Sequence, residues 1–257
     1  MRSWSVWLVP CALPFVSLTA AMPNDAIQQS VSPAEALVPV QVQQNVAEAA
    51  GLHRLVLAVD AHPVRATHAV AGQYVQVGLQ GHEPRYYALA SVPGAAEVEL
   101  LVGRAEGLAA ALCDLPVGST LWMSGAQGAG YPMALLRGRQ VVVMSSGTGL
   151  ASVRPVIEGL VADGCAAMVG VYHSRPPEQA GVCAADFERW RVQGVRVEQT
   201  DGAGAGRYVQ DLYAASEERA AALQTEFVVC GSPLMQRAVT DYLHGVGVTD
   251  AHIHFNY

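Results

Sequence analysis

Lysine is missing from this chain of 257 residues; all 15 basic side chains are arginine. Against them stand 22 acidic residues, for a net charge of −7. Nucleic-acid binding needs a basic face, so this balance excludes it and also weighs against a strongly acidic protein partner. Charged residues make up only 14% of the chain and hydrophobic ones 51%, which excludes general disorder. The five cysteines (Cys11, Cys113, Cys165, Cys183 and Cys230) are scattered, with no C-x-x-C pair. Zinc knuckles and iron–sulfur centres need clustered thiolates, so no metal site is expected, and the spacing does not make a disulfide scaffold. A G-x-S-x-G elbow is also missing, which removes the usual serine-hydrolase reading.

No hydrophobic run is long enough for a stable membrane span. The one extended apolar stretch, Val6 to Ala21, is short and holds Pro10 and Pro14. It follows Arg2, and no acidic residue precedes Asp25, so residues 1–22 are expected to be a targeting segment, with initiation at Met22 as the alternative. Residues 23–37 read as a linker.

What is present falls into two halves. From Val38 to about Ser124 short strand-like runs such as His53–Asp60, Tyr74–Val77 and the apolar Val98–Val102 are punctuated by Gly and Pro, predicting a small antiparallel barrel. One helical interruption is expected at Leu108–Leu112. From Gln140 the pattern becomes strand-helix repetition, with strands predicted at 141–144, 168–172, 195–199, 227–230 and 252–255. Helices are predicted at 151–162, 184–191, 209–222 and 234–243. This is a five-stranded parallel, doubly wound sheet with helices on both faces. The expected domains are 38–134 and 135–257.

Two turns in the second half carry chemistry. Val141–Ser146 leads into Gly147-Thr148-Gly149, and Phe227–Val229 leads into Cys230-Gly231-Ser232-Pro233-Leu234-Met235. A glycine turn at a helix start lets backbone N–H groups meet a phosphate, and the second turn offers a thiol at the same sheet edge. Nucleotide on one turn and thiol on the other point to redox chemistry on a nicotinamide. A cysteine-nucleophile hydrolase built on Cys230 is the alternative class, but it gives the Gly-Thr-Gly turn no role. His252 and His254 form an H-x-H pair without a third ligand nearby.

With these motifs the chain, over residues 38–257, resembles the ferredoxin–NADP reductase superfamily, with the run Leu89-Ala90-Ser91-Val92-Pro93 most similar to plant plastid members. The resemblance implies an FAD-binding six-stranded barrel followed by an NADP- or NAD-binding domain. Arg85-Tyr86-Tyr87-Ala88 resembles its Arg-x-Tyr-Ser flavin motif. There Arg85 would meet the FAD pyrophosphate, Tyr87 would stack on the isoalloxazine, and Ser91 and Gly107 belong to the same flavin region. Tyr257 resembles the terminal aromatic covering the flavin. Gly147, Thr148 and Gly149 would hold the dinucleotide and Ser174 and Arg175 its adenosine end, while Cys230 would lie beside the nicotinamide as the catalytic residue, with Gly231 and Met235 of the same Cys-Gly-x-Pro-x-Met motif also binding cofactor. The chain departs from that pattern at Ala88, at Ala109-Ala110 and at Phe255, each of which removes a functional group, and at Ser152, where proline is common. The implied activity is hydride transfer from NAD(P)H to FAD, with electrons passed to a separate acceptor, a ferredoxin, a quinone or another. The Ala88 and Ala109-Ala110 departures keep open a nucleotide-binding relative without flavin. The plastid is the location implied if residues 1–22 are real, and the cytoplasm otherwise.

Overall fold

A computed structural model describes residues 36–202 and 208–256. The expected targeting segment, most of the linker and Tyr257 lie outside them.

The first half is built on alternation. Strands β1 (Val38–Ala49), β2 (Leu52–Ala58), β3 (Tyr74–Leu79), β4 (His82–Ala88), β5 (Glu97–Gly103) and β6 (Thr120–Met123) form one six-stranded antiparallel sheet in the order β4-β3-β6-β1-β2-β5. Its two edge strands approach each other, and a bridge from Leu89 to Leu100 joins them, closing the barrel. Val40, Leu55, Leu57, Val75, Val77, Leu100 and Leu121 point inward to one core. Two short helices attach to it: α1 (Val64–Thr67) and α2 (Leu108–Cys113), the latter against β4 and β5. A third, α3 (Met133–Leu136), straddles the expected domain boundary.

In the second half β7 (Gln140–Ser146), β8 (Val169–Ser174), β9 (Arg196–Thr200), β10 (Thr225–Cys230) and β11 (Ile253–His254) pair in parallel, in the order β11-β10-β7-β8-β9. Strand β7 is covered on both faces, which its unbroken apolar run requires. Val141 and Val143 enter the core beneath α4 (Leu150–Ala162) and α5 (Ala184–Val192). Val142 and Met144 enter the opposite core with α6 (Val209–Ala214) and α7 (Pro233–Gly245). The chain winds outward from β7 through β8 to β9, then returns to β10 on the other side. A crevice therefore opens beyond the carboxyl end of β7, where ligands bind in folds of this type.

Two expectations are corrected. The helix predicted over 209–222 breaks at Ala214, and a 3-10 segment follows at Glu217–Gln224. Ser216 turns extended, and its hydroxyl donates to the Tyr213 carbonyl at 2.7 Å, a side-chain bond that competes with helix continuation. The last strand is only Ile253–His254, because His252 belongs to a 3-10 turn. His252 and His254 nevertheless converge on the buried Glu226 carboxylate, at 3.2 and 2.8 Å. No helix among the described residues is long and apolar enough to cross a membrane.

The barrel and the parallel sheet form one compact unit. Arg154, on α4, joins them: one guanidinium nitrogen reaches Glu99 on β5 at 2.8 Å and the Ala90 carbonyl at 2.9 Å. Its Nε meets Asp186 on α5 at 2.8 Å. Glu99 and the adjoining Glu48 also pair with Arg54, so the seam is a partly buried ionic network.

Candidate dinucleotide and flavin cleft

Two strand ends shape the crevice. Strand β7 runs into a 3-10 turn at Gly147–Gly149 before α4, and β10 runs into Cys230-Gly231 before α7. The turns interlock. A β-carbon on Gly149 would lie 2.5 Å from the Cys230 carbonyl oxygen, and one on Gly231 would lie 2.3 Å from Ser146 Oγ. The Ser232 N–H donates to that same Ser146 hydroxyl at 3.3 Å, while the Ser232 hydroxyl caps α7 by accepting from the Met235 N–H at 3.2 Å. Gly147 does something else. Its φ of +52° suits glycine, and nothing lies within 4 Å of where its side chain would be. Gly149 and Gly231 are therefore small so that protein can pack, and Gly147 leaves the backbone bare to the crevice.

These turns form one wall of a cavity of about 560 Å³. The facing wall is the end of β4, with Tyr86, Tyr87 and Ala88, and Asn256 closes one side. Five of the expected site residues from the second half, Gly147, Thr148, Gly149, Cys230 and Gly231, thus face two from the barrel, Tyr87 and Ala88. A second cavity of about 380 Å³ shares Ser146 and Ser232 with the first and is lined by Ser174, Tyr208, Gln210, Leu234 and Met235. The two lie end to end along the sheet edge, and Ser174 and Met235 line the second.

Of the other expected residues, Arg85, Ser91, Gly107 and Arg175 line neither cavity. Arg85 is exposed on β4, and among the described residues no carboxylate pairs with it. It is close enough for its charge to act on the Tyr87 hydroxyl, although burial dominates and raises that pKa. Gly107, exposed with φ +72°, leads into α2. Ser91 is turned inward, its hydroxyl accepting from the Glu99 N–H at 3.3 Å. Arg175 is half-buried, with its N–H donating to the Thr200 carbonyl at 3.0 Å and its Nε unpartnered. Tyr257 lies outside the described residues.

Sequence reasoning passed over several lining or supporting groups. Burial pushes the Cys230 thiol above its usual value of 9.0, while the hydroxyls of Ser152 and Tyr131 pull it down. Tyr131 is buried against Gly72, whose φ of +91° leaves no room for a side chain: a β-carbon there would lie 2.4 Å from the Tyr131 ring. The Gly72 carbonyl accepts from Asn256 Nδ2 at 3.3 Å, which ties the chain's last described residue to the barrel. Ser152 was visible as a departure from proline; Tyr131 and Asn256 carried no local signal, since their roles arise from contacts distant in sequence.

No family model matches the chain. Among curated proteins it is similar to the ferredoxin–NAD(P)(+) reductase component of the naphthalene 1,2-dioxygenase/salicylate 5-hydroxylase systems of a Ralstonia species. The identity is 28% over 196 residues, 71% of this chain. The chain spans only 58% of that relative's length. Among solved structures it resembles the cytochrome P450 reductase GcoB of Amycolatopsis, with TM-score 0.73 and 24% identity over 86% of this chain and 69% of that one. It also resembles a ferredoxin NADP+ reductase from Neisseria gonorrhoeae solved with FAD and NADP, with TM-score 0.73 and 18% identity over 86% and 98% of the two chains. The chain has the ferredoxin–NADP reductase-like fold: an antiparallel barrel joined to a doubly wound parallel sheet.

Proposed function

We propose that this protein is an FAD-dependent oxidoreductase that takes hydride from NAD(P)H and passes electrons to a separate acceptor of the ferredoxin type. One observation carries the reading: barrel residues Tyr87 and Ala88 and sheet-edge residues Gly147–Gly149 and Cys230 wall the same cavity. The residues present fit the two cofactors. Gly147 leaves a bare backbone at the head of a 13-residue helix, which complements a pyrophosphate. Arg85, free of carboxylates beside Tyr87, is placed to meet a second phosphate group.

Bound FAD supplies the capacity to accept a hydride and release electrons singly. The chain's own residues hold the two rings and keep water out. Cys230 presents its sulfur, protonated at neutral pH, to the cavity opposite Ala88. A methyl at position 88 leaves space beside the ring without adding a hydrogen bond. The Arg154 network fixes barrel against sheet, so the distance between the cofactor sites is set by the protein. The adenosine end would lie in the second cavity, among Ser174, Tyr208 and Met235.

The ferredoxin-type acceptor follows the Ralstonia relative's description as a ferredoxin–NAD(P)(+) reductase component. The net charge of −7 favours a partner that brings its own basic groups or docks through apolar contact. Kinship with plastid proteins, and a plastid location with the cytoplasm as the alternative, rest on residues 1–22 and Leu89–Pro93 and form part of the proposal.

The test is to purify the protein, add FAD, remove the excess and titrate anaerobically with NADPH and NADH. Retained flavin colour that bleaches with one of them, and returns on adding a ferredoxin, is expected. A protein that stays colourless with FAD yet binds the dinucleotide would establish instead the nucleotide-binding reading favoured by Ala88 and Ala109-Ala110.

A further inference from the structure

Glu226 is the only fully buried acidic residue among those described. It sits on β10, between β7 and β11, in a stretch otherwise built of Thr225, Phe227, Val228 and Val229. One carboxylate oxygen meets His252 Nδ1 at 3.2 Å and Arg139 at 3.4 Å, and the other meets His254 Nε2 at 2.8 Å. Replacing such a buried cluster by apolar side chains is often neutral or stabilising, so its presence needs a reason other than stability. Strand β11 supplies one. It has two residues, and it pairs with β10 only at Phe227–Ile253 and Val228–His254. Ile253 and Phe255 pack into the core beside α7, while His252 and His254 face Glu226. A slip of one residue would drive the histidines into that apolar core, and packing opposes it. A slip of two residues keeps the same faces, so packing discriminates poorly against it. The carboxylate does discriminate, because after such a slip only one histidine reaches it.

The register of β11 matters for the residue two places beyond it. Asn256 lines the main cavity and donates from Nδ2 to the Gly72 carbonyl of the barrel at 3.3 Å. A two-residue slip would carry Asn256 about 7 Å along the strand and open that side of the cavity. We propose that Glu226 is a positioning residue for the cofactor cavity: by clasping His252 and His254 it fixes β11 in register and holds Asn256 in the cavity wall. The cofactor role rests on the flavin reading above; the clasp itself does not. Hydrogen-bond geometry makes the clasp, with each imidazole donating an N–H to its own carboxylate oxygen. Glutamine can take the place of the carboxylate, its oxygen accepting from one ring and its amide donating to the other ring in the opposite tautomer.

The test follows backbone hydrogen exchange of the full chain by mass spectrometry, without ligand, and FAD affinity by flavin fluorescence. The double variant Glu226→Met/His254→Leu replaces the clasp by apolar groups. Residues 253–256 should then exchange about tenfold faster, with the peptides of β7 and β8 unchanged. FAD affinity should fall by about threefold or more. Glu226→Gln should stay close to the wild type in both measurements. His252 is partly exposed, so His252→Ala keeps the fold and should loosen the same segment to a lesser degree. Unchanged exchange over 253–256 in the double and His252 variants would overturn the proposal, as would a Glu226→Gln protein as loose as the double variant. Faster exchange throughout β7 and β8 would overturn it too, by marking the cluster as core packing. Loosening with undiminished FAD affinity would leave the clasp without a cofactor role and sink the proposal on that side. If the wild type takes up no FAD, the flavin reading falls and the cofactor role with it, while the exchange result still tells whether the clasp holds.

Discussion

The backbone of Gly149 lies directly against that of Cys230, so closely that a methyl group on the glycine would sit 2.5 Å from the Cys230 carbonyl oxygen. The turn that receives phosphate and the turn that carries the thiol are thus one packed unit. Gly149→Ala must push the two apart, and overpacking of this kind costs about 1–3 kcal/mol. Gly147→Ala has open space around it and meets only the backbone strain of a positive φ, about 1–2 kcal/mol. Thermal melts should rank Gly149→Ala at or below Gly147→Ala. Both should weaken dinucleotide binding, the first by displacing Cys230 and the second by covering the bare backbone. A Gly149→Ala variant with wild-type stability and affinity would show that the turns are not coupled.

Arg154 predicts how firmly the halves are joined. It holds Glu99 of the barrel and Asp186 of α5, both partly buried. Arg154→Met keeps the apolar stem and leaves Glu99 to Arg54 and Asp186 to Arg189, so the loss expected is that of charge-assisted hydrogen bonds, about 1.5–3 kcal/mol. Denaturant unfolding should show the lower midpoint. If the halves also separate, the flavin and nucleotide signals will report two transitions where the wild type has one.

Acid stability should fall through the histidines. His173 is fully buried, its Nδ1 2.9 Å from Ser145 Oγ and its Nε2 unpartnered. Burial, aided by the charge of Arg175, lowers its pKa from 6.5 to about 3, and burial lowers His68 to about 4. The unfolded chain accepts these protons near pH 6.5 and the folded chain only far below. Stability is therefore fully present above pH 6.5 and is lost as pH falls from 6.5 toward 3, by up to about 1.4 kcal/mol per pH unit for each histidine. His173→Gln should flatten that slope by one histidine's share in melts between pH 6.5 and 4.5. An unchanged slope would assign the acid sensitivity to other groups.

Cys230→Ala should leave flavin bound and slow reduction by NAD(P)H about tenfold or more, near 1.4 kcal/mol of barrel-to-sheet ring alignment. Rapid-mixing absorbance reads this step directly. An undiminished rate would take Cys230 out of the chemistry and leave it as packing for Gly149.

Arg85→Ala tests the exposed end of the flavin site. Loss of a charge-assisted phosphate contact is worth about 1.5–3 kcal/mol and should lower FAD affinity correspondingly. Full flavin retention would move the pyrophosphate away from β4.

The local patterns of the chain determine a great deal. Alternating apolar residues over 52–102 and the unbroken run Val141–Met144 set barrel strands and a doubly covered parallel strand, because side-chain period depends only on neighbours. The glycine turn and the Cys-Gly turn were legible because their residue types follow from backbone conformation. The break after Ala214 was not legible, since Ser216 had to find the Tyr213 carbonyl before it could end the helix. The convergence of His252 and His254 on Glu226 was equally hidden, as it depends on the pairing of β10 with β11. Only the tertiary structure could decide that Ser91 faces inward, that Tyr131 and Ser152 flank the Cys230 sulfur, and that Arg154 locks two halves of the chain. The Tyr131, Ser152 and Arg154 contacts join segments tens of residues apart, Ser91 meets the next strand, and a buried polar group takes its role from whatever the fold places beside it.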